Sequence, residues 1–187
     1  MIGAGNLATH LCRALINAGH EIIQIYSRTV ESASILGKEI NAPYTNDTEA
    51  IISSDLAIVA VNDDSIQNIE KHISFPKVHT SGTKPLSTLN GKNIGVFYPL
   101  QTFNKNIDVN FKSIPVCIES LNSDLLQTLK ELALSISDKV VELNSEQRKK
   151  GWVRQKEEVS KKEDWDQCCK KFENRTQLLL FDKGQIQ

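Results

Sequence analysis

Alternating strand and helix patterns predict an α/β fold with a mainly parallel sheet. Short β-branched runs alternate along the chain with amphipathic helical segments. Several of these runs are apolar enough to be buried on both faces, as parallel strands are. Parallel neighbours need crossover connections, and the intervening helical segments can supply them. Repeated βαβ units therefore account for the pattern.

The elements follow one another from the first residues to about residue 149. Strands are predicted over Glu21–Ser27, Asp55–Val61, Lys77–Thr80, Asn93–Tyr98, Ile114–Glu119 and Lys139–Leu143. Helices are predicted over Asn6–Ala18, Thr29–Ile40, Thr48–Ser53, Ser65–His72 and Asp124–Ser137. Ser145 is predicted to be the N-cap of one further helix.

Composition excludes several classes of function. The 187 residues are 40% hydrophobic and 24% charged, with a net charge of −1, so neither nucleic acid nor another polyanion is an expected partner. No stretch approaches the roughly 20 apolar residues of a membrane helix, and no signal peptide is evident, so we expect a cytoplasmic protein without a membrane partner. Four cysteines without a CxxC spacing predict reduced thiols and no metal site.

Charge density divides the chain near residue 149. Residues 1–146 carry 11 basic and 16 acidic residues, whereas the much shorter 147–187 carry 11 and 7. We therefore predict an α/β domain at 1–149 and a charged divergent tail at 150–187, irregular or partly helical. Its apolar residues form no single helical stripe, which predicts a mobile, protease-sensitive segment. The tail is either a remnant or frameshifted replacement of a helical domain, or a genuine segment that folds onto a partner.

The sharpest motif is the glycine-rich turn Gly3-Ala4-Gly5-Asn6-Leu7-Ala8. In a doubly wound, Rossmann-like sheet, Gly3 would allow the tight strand-to-helix turn, Gly5 would let a pyrophosphate approach, and Ala8 would let the helix pack closely. Phosphates would then bind the free N–H groups at the helix N-terminus. The alternative is that the glycines serve only the tight turn.

The strand before this motif is truncated, because only Met1 and Ile2 precede Gly3. In the usual strand order it lies at the sheet centre, and its loss would leave backbone groups of both neighbours unpaired. Either an N-terminal segment is missing, or two residues suffice to fill the gap.

The residues at the end of the second strand indicate which dinucleotide is bound. A dinucleotide site selective for NAD usually places Asp or Glu there, whereas this chain has Ser27-Arg28-Thr29. An arginine suits a 2′-phosphate, and the two hydroxyls could add hydrogen bonds, so NADP is the predicted cofactor. The alternative for Arg28 is a solvated residue at the start of a helix.

Six segments together resemble a known family. They are Gly3–Thr9 (GAGNLAT), Ser27–Thr29 (SRT), Val61–Ile66 (VNDDSI), His79–Gly82 (HTSG), Tyr98–Phe103 (YPLQTF) and Ser145–Lys149 (SEQRK). The chain resembles bacterial Rossmann-like proteins classed as oxidoreductases, whose N-terminal half is similar to pyrroline-5-carboxylate reductase and F420-dependent NADP oxidoreductase. The C-terminal half of that family is a helical domain of unknown function.

The resemblance implies NADP binding by the first half, and a homodimer and a substrate-pocket wall built by the helical half. Beyond about residue 149 the resemblance stops, so the helical half is missing or replaced here. The implied cofactor-binding residues are Gly3, Gly5, Asn6, Leu7, Ala8, Ser27, Arg28, Thr29, Val61, Asn62 and Asp63.

Polar residues at strand ends are the candidate catalytic groups, because ligands bind at the carboxyl ends of strands in such sheets. His79 could relay a proton to a reducing carbonyl or imine, or could be a structural histidine. Ser81 has no nucleophile motif and could line the pocket. Gln101 could offer a polar group to the substrate. Asp63, alternatively, could cap a helix.

These observations predict an NADP-dependent oxidoreductase that transfers hydride between the nicotinamide and a small carbonyl or imine. The alternative is a non-catalytic or truncated nucleotide-binding module. Because the expected helical wall is missing, turnover by this chain is expected to be far below that of an intact relative.

Overall fold

The computed structural model describes residues 1–150, and the predicted tail beyond residue 150 lies outside the described residues. Its strands are β1 Ile25–Tyr26, β2 Tyr44–Thr45, β3 Ala57–Val59, β4 Lys77–His79, β5 Ile94–Pro99, β6 Val116–Ser120 and β7 Val140–Glu142. Its helices are α1 Asn6–Asn17, α2 Val30–Glu39, α3 Ile66–Ile69 and α4 Ser123–Ile136, followed by α5, which covers residues 145–150. Short 3₁₀ turns connect several of them.

The strands form one sheet in the order β2, β1, residue Ile2, β3, β4, β5, β6 and β7. All neighbours are parallel except β5 and β6, which are antiparallel. The predicted α/β class and mainly parallel, Rossmann-like sheet are confirmed. The antiparallel step reverses β6 and β7 relative to the other strands.

Ile2 lies at the centre of the sheet, in the position of the truncated first strand. Its N–H donates to the Ile58 carbonyl at 2.9 Å, and its carbonyl accepts from the Ala60 N–H at 2.7 Å. On the other side, the Gly3 N–H donates to the Tyr26 carbonyl at 2.7 Å, and the Tyr26 N–H donates to the Met1 carbonyl. Three residues therefore satisfy the backbone groups of both neighbouring strands.

Helices cover both faces of the sheet because alternate strand residues point to opposite sides. On one face, α1 and α4 cover a core that includes Phe97, Ile118 and Leu129. On the other face, α3 covers Tyr26 and Val59. A further cluster on that face, beyond α3, packs Leu86, Val96, Tyr98, Leu100, Cys117, Val141 and Leu143.

The structure differs from the predicted secondary structure in the extent of some elements, in one strand that was missed and in one cap residue. The helix predicted over Thr48–Ser53 is a single 3₁₀ turn, Thr48–Ala50. The strand predicted over Glu21–Ser27 is only β1, and β2 was not predicted at all. Ser145 does not cap α5: Asn144 does, because its Oδ1 accepts from the Gln147 N–H at 3.0 Å while the Gln147 side chain accepts from the Asn144 N–H.

Cys12 and Cys117, the cysteines in the described part of the chain, form no disulfide there. Burial raises the pKa of Cys12 to about 11, so its thiol stays protonated at neutral pH. Cys168 and Cys169 lie outside the described residues. No helix within residues 1–150 is long and apolar enough to cross a membrane.

A buried ion pair anchors the amino end of β4. The Lys77 ammonium donates to Glu70 Oε2 at 2.6 Å and to the Glu70 and Ile73 carbonyls at 2.8 and 2.9 Å. Asn90 donates to the same carboxylate through its backbone and side chain. Burial opposes ionisation of Glu70, but the hydrogen bonds from Lys77 and Asn90 outweigh it and lower the carboxyl pKa. All three Lys77 donors are therefore satisfied.

Replacing Lys77 with Met should destabilise the fold by about 3 to 5 kcal/mol, because it leaves the Glu70 carboxylate buried without its cation. Urea denaturation measures the loss. The double variant Lys77→Met with Glu70→Leu should be more stable than the single variant. As a control, Arg13→Met, which breaks the exposed 2.6 Å pair with Glu39, should cost less than about 1 kcal/mol. A single-variant loss no larger than the control would contradict this account.

Candidate functional site

Five segments meet at the carboxyl edge of the parallel strands. They follow Ile2, β1, β3, β4 and β5, and parallel pairing brings their starts to the same edge of the sheet. The sequence places polar or glycine residues in every one of them. This edge is the candidate site.

The glycine turn has the geometry that its sequence predicts. Gly3 has a φ of +117°, and a Cβ placed there would lie 2.2 Å from the Ala60 carbonyl oxygen. Gly5 is exposed, and a Cβ placed there would meet no atom within 4 Å. Gly3 is therefore required for the turn itself, whereas Gly5 leaves open space in front of the helix.

The N-terminus of α1 lies beside that open space. No side chain caps it, and its first turn contains no acidic residue. By contrast, the first turn of α4 is capped by Asn122, whose Oδ1 accepts from the Leu125 N–H at 2.9 Å. Ala8 is fully buried against β1 and α2, so the helix packs closely. Free N–H groups next to open space fit an anionic group such as a pyrophosphate.

The end of β1 presents an unpaired cation. Arg28 is exposed, and no carboxylate of residues 1–150 forms an ion pair with it. Ser27 is half-buried, and the Thr29 hydroxyl donates to Ser32 Oγ at 2.9 Å. The guanidinium is therefore available to an anionic ligand.

The loops after β3 and β4 are tied together. The Thr83 hydroxyl donates to Asp63 Oδ2 at 2.6 Å, so Asp63 serves the junction between the loops and does not cap a helix. Val61 lies beside Gly3, since its Cγ1 is 3.4 Å from the Cβ position there. Asn62 is exposed at the start of the loop. Of these candidate cofactor-binding residues, Asn62 is the most accessible to a ligand.

His79 is fully buried at the end of β4, with both ring nitrogens in use. Nδ1 accepts from the Ser81 N–H at 3.1 Å, and Nε2 lies 3.2 Å from the Pro85 carbonyl, to which it can only donate. The ring is thus neutral and protonated at Nε2. Burial, and then the positive charge of Arg148, lower the His79 pKa to about 4. This geometry favours the structural alternative over a proton relay.

Ser81 and Gln101 also make local contacts. Ser81 Oγ accepts from the N–H groups of Thr83 and Lys84, which shapes the turn after β4. Gln101 Oε1 accepts from the Thr102 N–H at 3.2 Å, and its side chain lines a surface cavity of about 210 Å³. Gln101 is therefore the candidate catalytic residue with the readiest access to a small molecule.

Comparison with known proteins shows which proteins this chain resembles. Residues 1–84 match the family model described as NADP oxidoreductase, coenzyme F420-dependent. A proposed NADP oxidoreductase from Bacteroides fragilis has a crystal structure that is 39% identical, with a TM-score of 0.76. The match covers 82% of this chain and 63% of that protein. The resemblance to Rossmann-like NADP oxidoreductases is confirmed.

More distant structures share the Rossmann-like fold alone. Prephenate dehydrogenase from Aquifex aeolicus has a TM-score of 0.68 at 14% identity, over 79% of this chain and 61% of that one. A pyrroline-5-carboxylate reductase from Coxiella burnetii has a TM-score of 0.63 at 15% identity, over 80% and 60%. This chain therefore spans about three-fifths of the length of these proteins. No curated protein matches it in sequence.

A buried arginine that the sequence did not single out supports the loop after β4. Arg148 of α5 is 1% exposed and forms an ion pair with Glu119 of β6. Its guanidinium also donates to the Ser81 carbonyl at 3.2 Å and the Lys84 carbonyl at 2.6 Å. Arg148 lies in the SEQRK motif, but a motif gives no sign of the strand and loop that its side chain reaches.

The neutral, buried state of His79 predicts a pH dependence of stability. Between about pH 6.5 and 4 the unfolded chain binds a proton at His79 that the folded chain does not, so stability present above pH 6.5 is lost as the pH falls. The loss from pH 7 to pH 5 should be about 2 kcal/mol by urea denaturation. His79→Gln, which does not titrate, should lose correspondingly less over this interval. Equal losses in both proteins would contradict the assignment of a low pKa.

Proposed function

We propose that this chain is an NADP-dependent oxidoreductase that binds NADP at the carboxyl edge of its sheet. The observation that carries the proposal is the open glycine turn beside an unpaired Arg28, because together they offer sites for the two kinds of phosphate in NADP. The match of residues 1–84 to NADP oxidoreductases supports the same cofactor.

The protein's part is to hold the nucleotide. The N–H groups at the start of α1 would bind the pyrophosphate, where Gly5 leaves room and the helix dipole favours an anion. Arg28 would bind the 2′-phosphate, with the hydroxyls of Ser27 and Thr29 beside it. When bound, the nicotinamide supplies or accepts the hydride.

The substrate class proposed is a small carbonyl or imine, which the pyrroline-5-carboxylate reductase of similar fold supports, because pyrroline-5-carboxylate is a cyclic imine. Asn62 and Gln101 are the exposed or half-buried polar residues at strand ends that could orient it. A homodimer, as the resemblance implies, remains part of the proposal. NADPH oxidation against a panel of carbonyl and imine compounds tests the activity directly, and absence of turnover with all of them, despite nucleotide binding, would favour a binding module.

Arg28→Ala should weaken NADP binding by roughly ten- to a hundredfold and leave NAD binding nearly unchanged. The reason is that a charge-assisted contact contributes about 1.5 to 3 kcal/mol and only NADP carries the 2′-phosphate. Isothermal titration calorimetry with both nucleotides measures the difference. Gly5→Val should abolish both, since its side chain would fill the space in front of α1. Equal losses for the two nucleotides in Arg28→Ala would disprove the role given to Arg28.

A further inference from the structure

The loop after β5, residues 101–107, is hydrogen-bonded to the glycine turn and to α1. Asn6 Nδ2 donates to the Phe103 carbonyl at 3.0 Å, and the Lys105 ammonium donates to the Ala4 carbonyl at 3.0 Å. His10 Nε2 lies 2.8 Å from the Asn104 carbonyl. Three consecutive loop residues thus contact the glycine turn and the first half of α1.

The Phe103 side chain anchors the loop to the hydrophobic core. Its ring packs against the rings of His10 and Phe111, with centroids 5.5 and 5.8 Å apart. Phe111 is buried in the core beneath α1 and α4. The backbone at residues 103–105 is therefore held on the protein surface by an aromatic anchor as well as by hydrogen bonds.

Lys105 brings an unneutralised charge to this position. Its side chain is exposed, and the group to which it donates, the Ala4 carbonyl, carries no net charge. Among residues 1–150 no carboxylate lies within ion-pairing distance of Lys105. An ammonium has three N–H donors, so two remain after the contact with Ala4.

The position of Ala4 decides what this charge can reach. Ala4 lies between Gly3 and Gly5, so the ammonium lies at the margin of the open space in front of α1. An anion held by the N–H groups of α1 would experience both the helix dipole and the Lys105 charge. Both interactions would favour the same ligand group.

We propose that Lys105 is a pyrophosphate-binding residue of the nucleotide site, supplied by a loop outside residues 1–84. The proposal rests on the nucleotide binding proposed above. Lys105 differs from Arg28 in the group that it would contact: the pyrophosphate is common to NADP and NAD, whereas the 2′-phosphate is not. Lys105 would therefore contribute affinity without selecting between the nucleotides.

The test is calorimetric titration of NADP and NAD into the wild-type chain, Lys105→Met, Lys105→Arg and Lys92→Met. Lys92→Met is the matched control, because Lys92 is also exposed but precedes β5 and so lies at the opposite edge of the sheet. Lys105→Met should weaken both nucleotides by the same factor, roughly tenfold. Lys105→Arg should retain most of the affinity, and Lys92→Met should match wild type.

Varying the ionic strength distinguishes an electrostatic role of Lys105 from a structural one. The deficit of Lys105→Met should shrink as salt is raised, because salt screens an exposed charge, and its urea denaturation midpoint should stay near that of wild type. Wild-type affinity in Lys105→Met, a loss for one nucleotide only, or a salt-independent deficit shared by Lys105→Arg would each overturn the assignment. Failure of the wild-type chain to bind either nucleotide would instead overturn the proposed function itself.

Discussion

The candidate site depends on the close approach of the Gly3 backbone to the end of β3. A side chain at residue 3 would require a Cβ 2.2 Å from the Ala60 carbonyl oxygen, on a backbone with positive φ. This approach lets the chain leave the sheet centre at Ile2 and enter α1 at Asn6. It also sets the position of Val61, which follows Ala60. The two halves of the cofactor-binding edge are thereby fixed relative to each other through backbone contacts.

Contacts between segments distant in sequence hold the other loops of the site. Arg148 in α5 joins β6, through Glu119, to the turn that contains Ser81. His79 holds the same turn from β4 through its two ring nitrogens. A buried arginine needs a carboxylate and several carbonyls to compensate its desolvation, and this set of partners supplies them. Two elements therefore contact the turn after β4, which is consistent with a structural role for both His79 and Ser81.

Local sequence patterns predicted most of the fold, since helical periodicity and apolar runs depend on neighbouring residues. The bounds of α1, α2 and α4 lie within one residue of the predicted ones. β2 was missed because Tyr44-Thr45 is too short to show an alternating pattern and forms by pairing with β1. The pairing of β5 with β6 in antiparallel orientation was missed for a related reason: strand direction is set by tertiary contacts.

Candidate site residues could be predicted where a short sequence motif determines the local backbone conformation or ligand chemistry. They could not be predicted where a side chain contacts a residue that is distant in sequence. The glycine turn and Arg28 belong to the first class. Asp63 follows β3 at the carboxyl edge of the sheet, but its bond to Thr83 spans 20 residues, and the contact of Lys105 with Ala4 spans 101. Contacts between residues so far apart in the sequence produce no periodicity or spacing that a sequence pattern could show.

Two pairs of cations in the described part of the chain differ in their surroundings. Lys77 and Arg148 are buried and form ion pairs with carboxylates, and these ion pairs connect different elements of the fold. Arg28 and Lys105 are exposed, lie at the carboxyl edge of the sheet, and have no carboxylate partner within residues 1–150. A cation that is already neutralised would lose its internal partner on binding a phosphate, whereas an unpaired one gains a partner without that cost. Because neither Arg28 nor Lys105 forms an ion pair with a carboxylate of residues 1–150, both are available to a ligand with phosphates at two separate places.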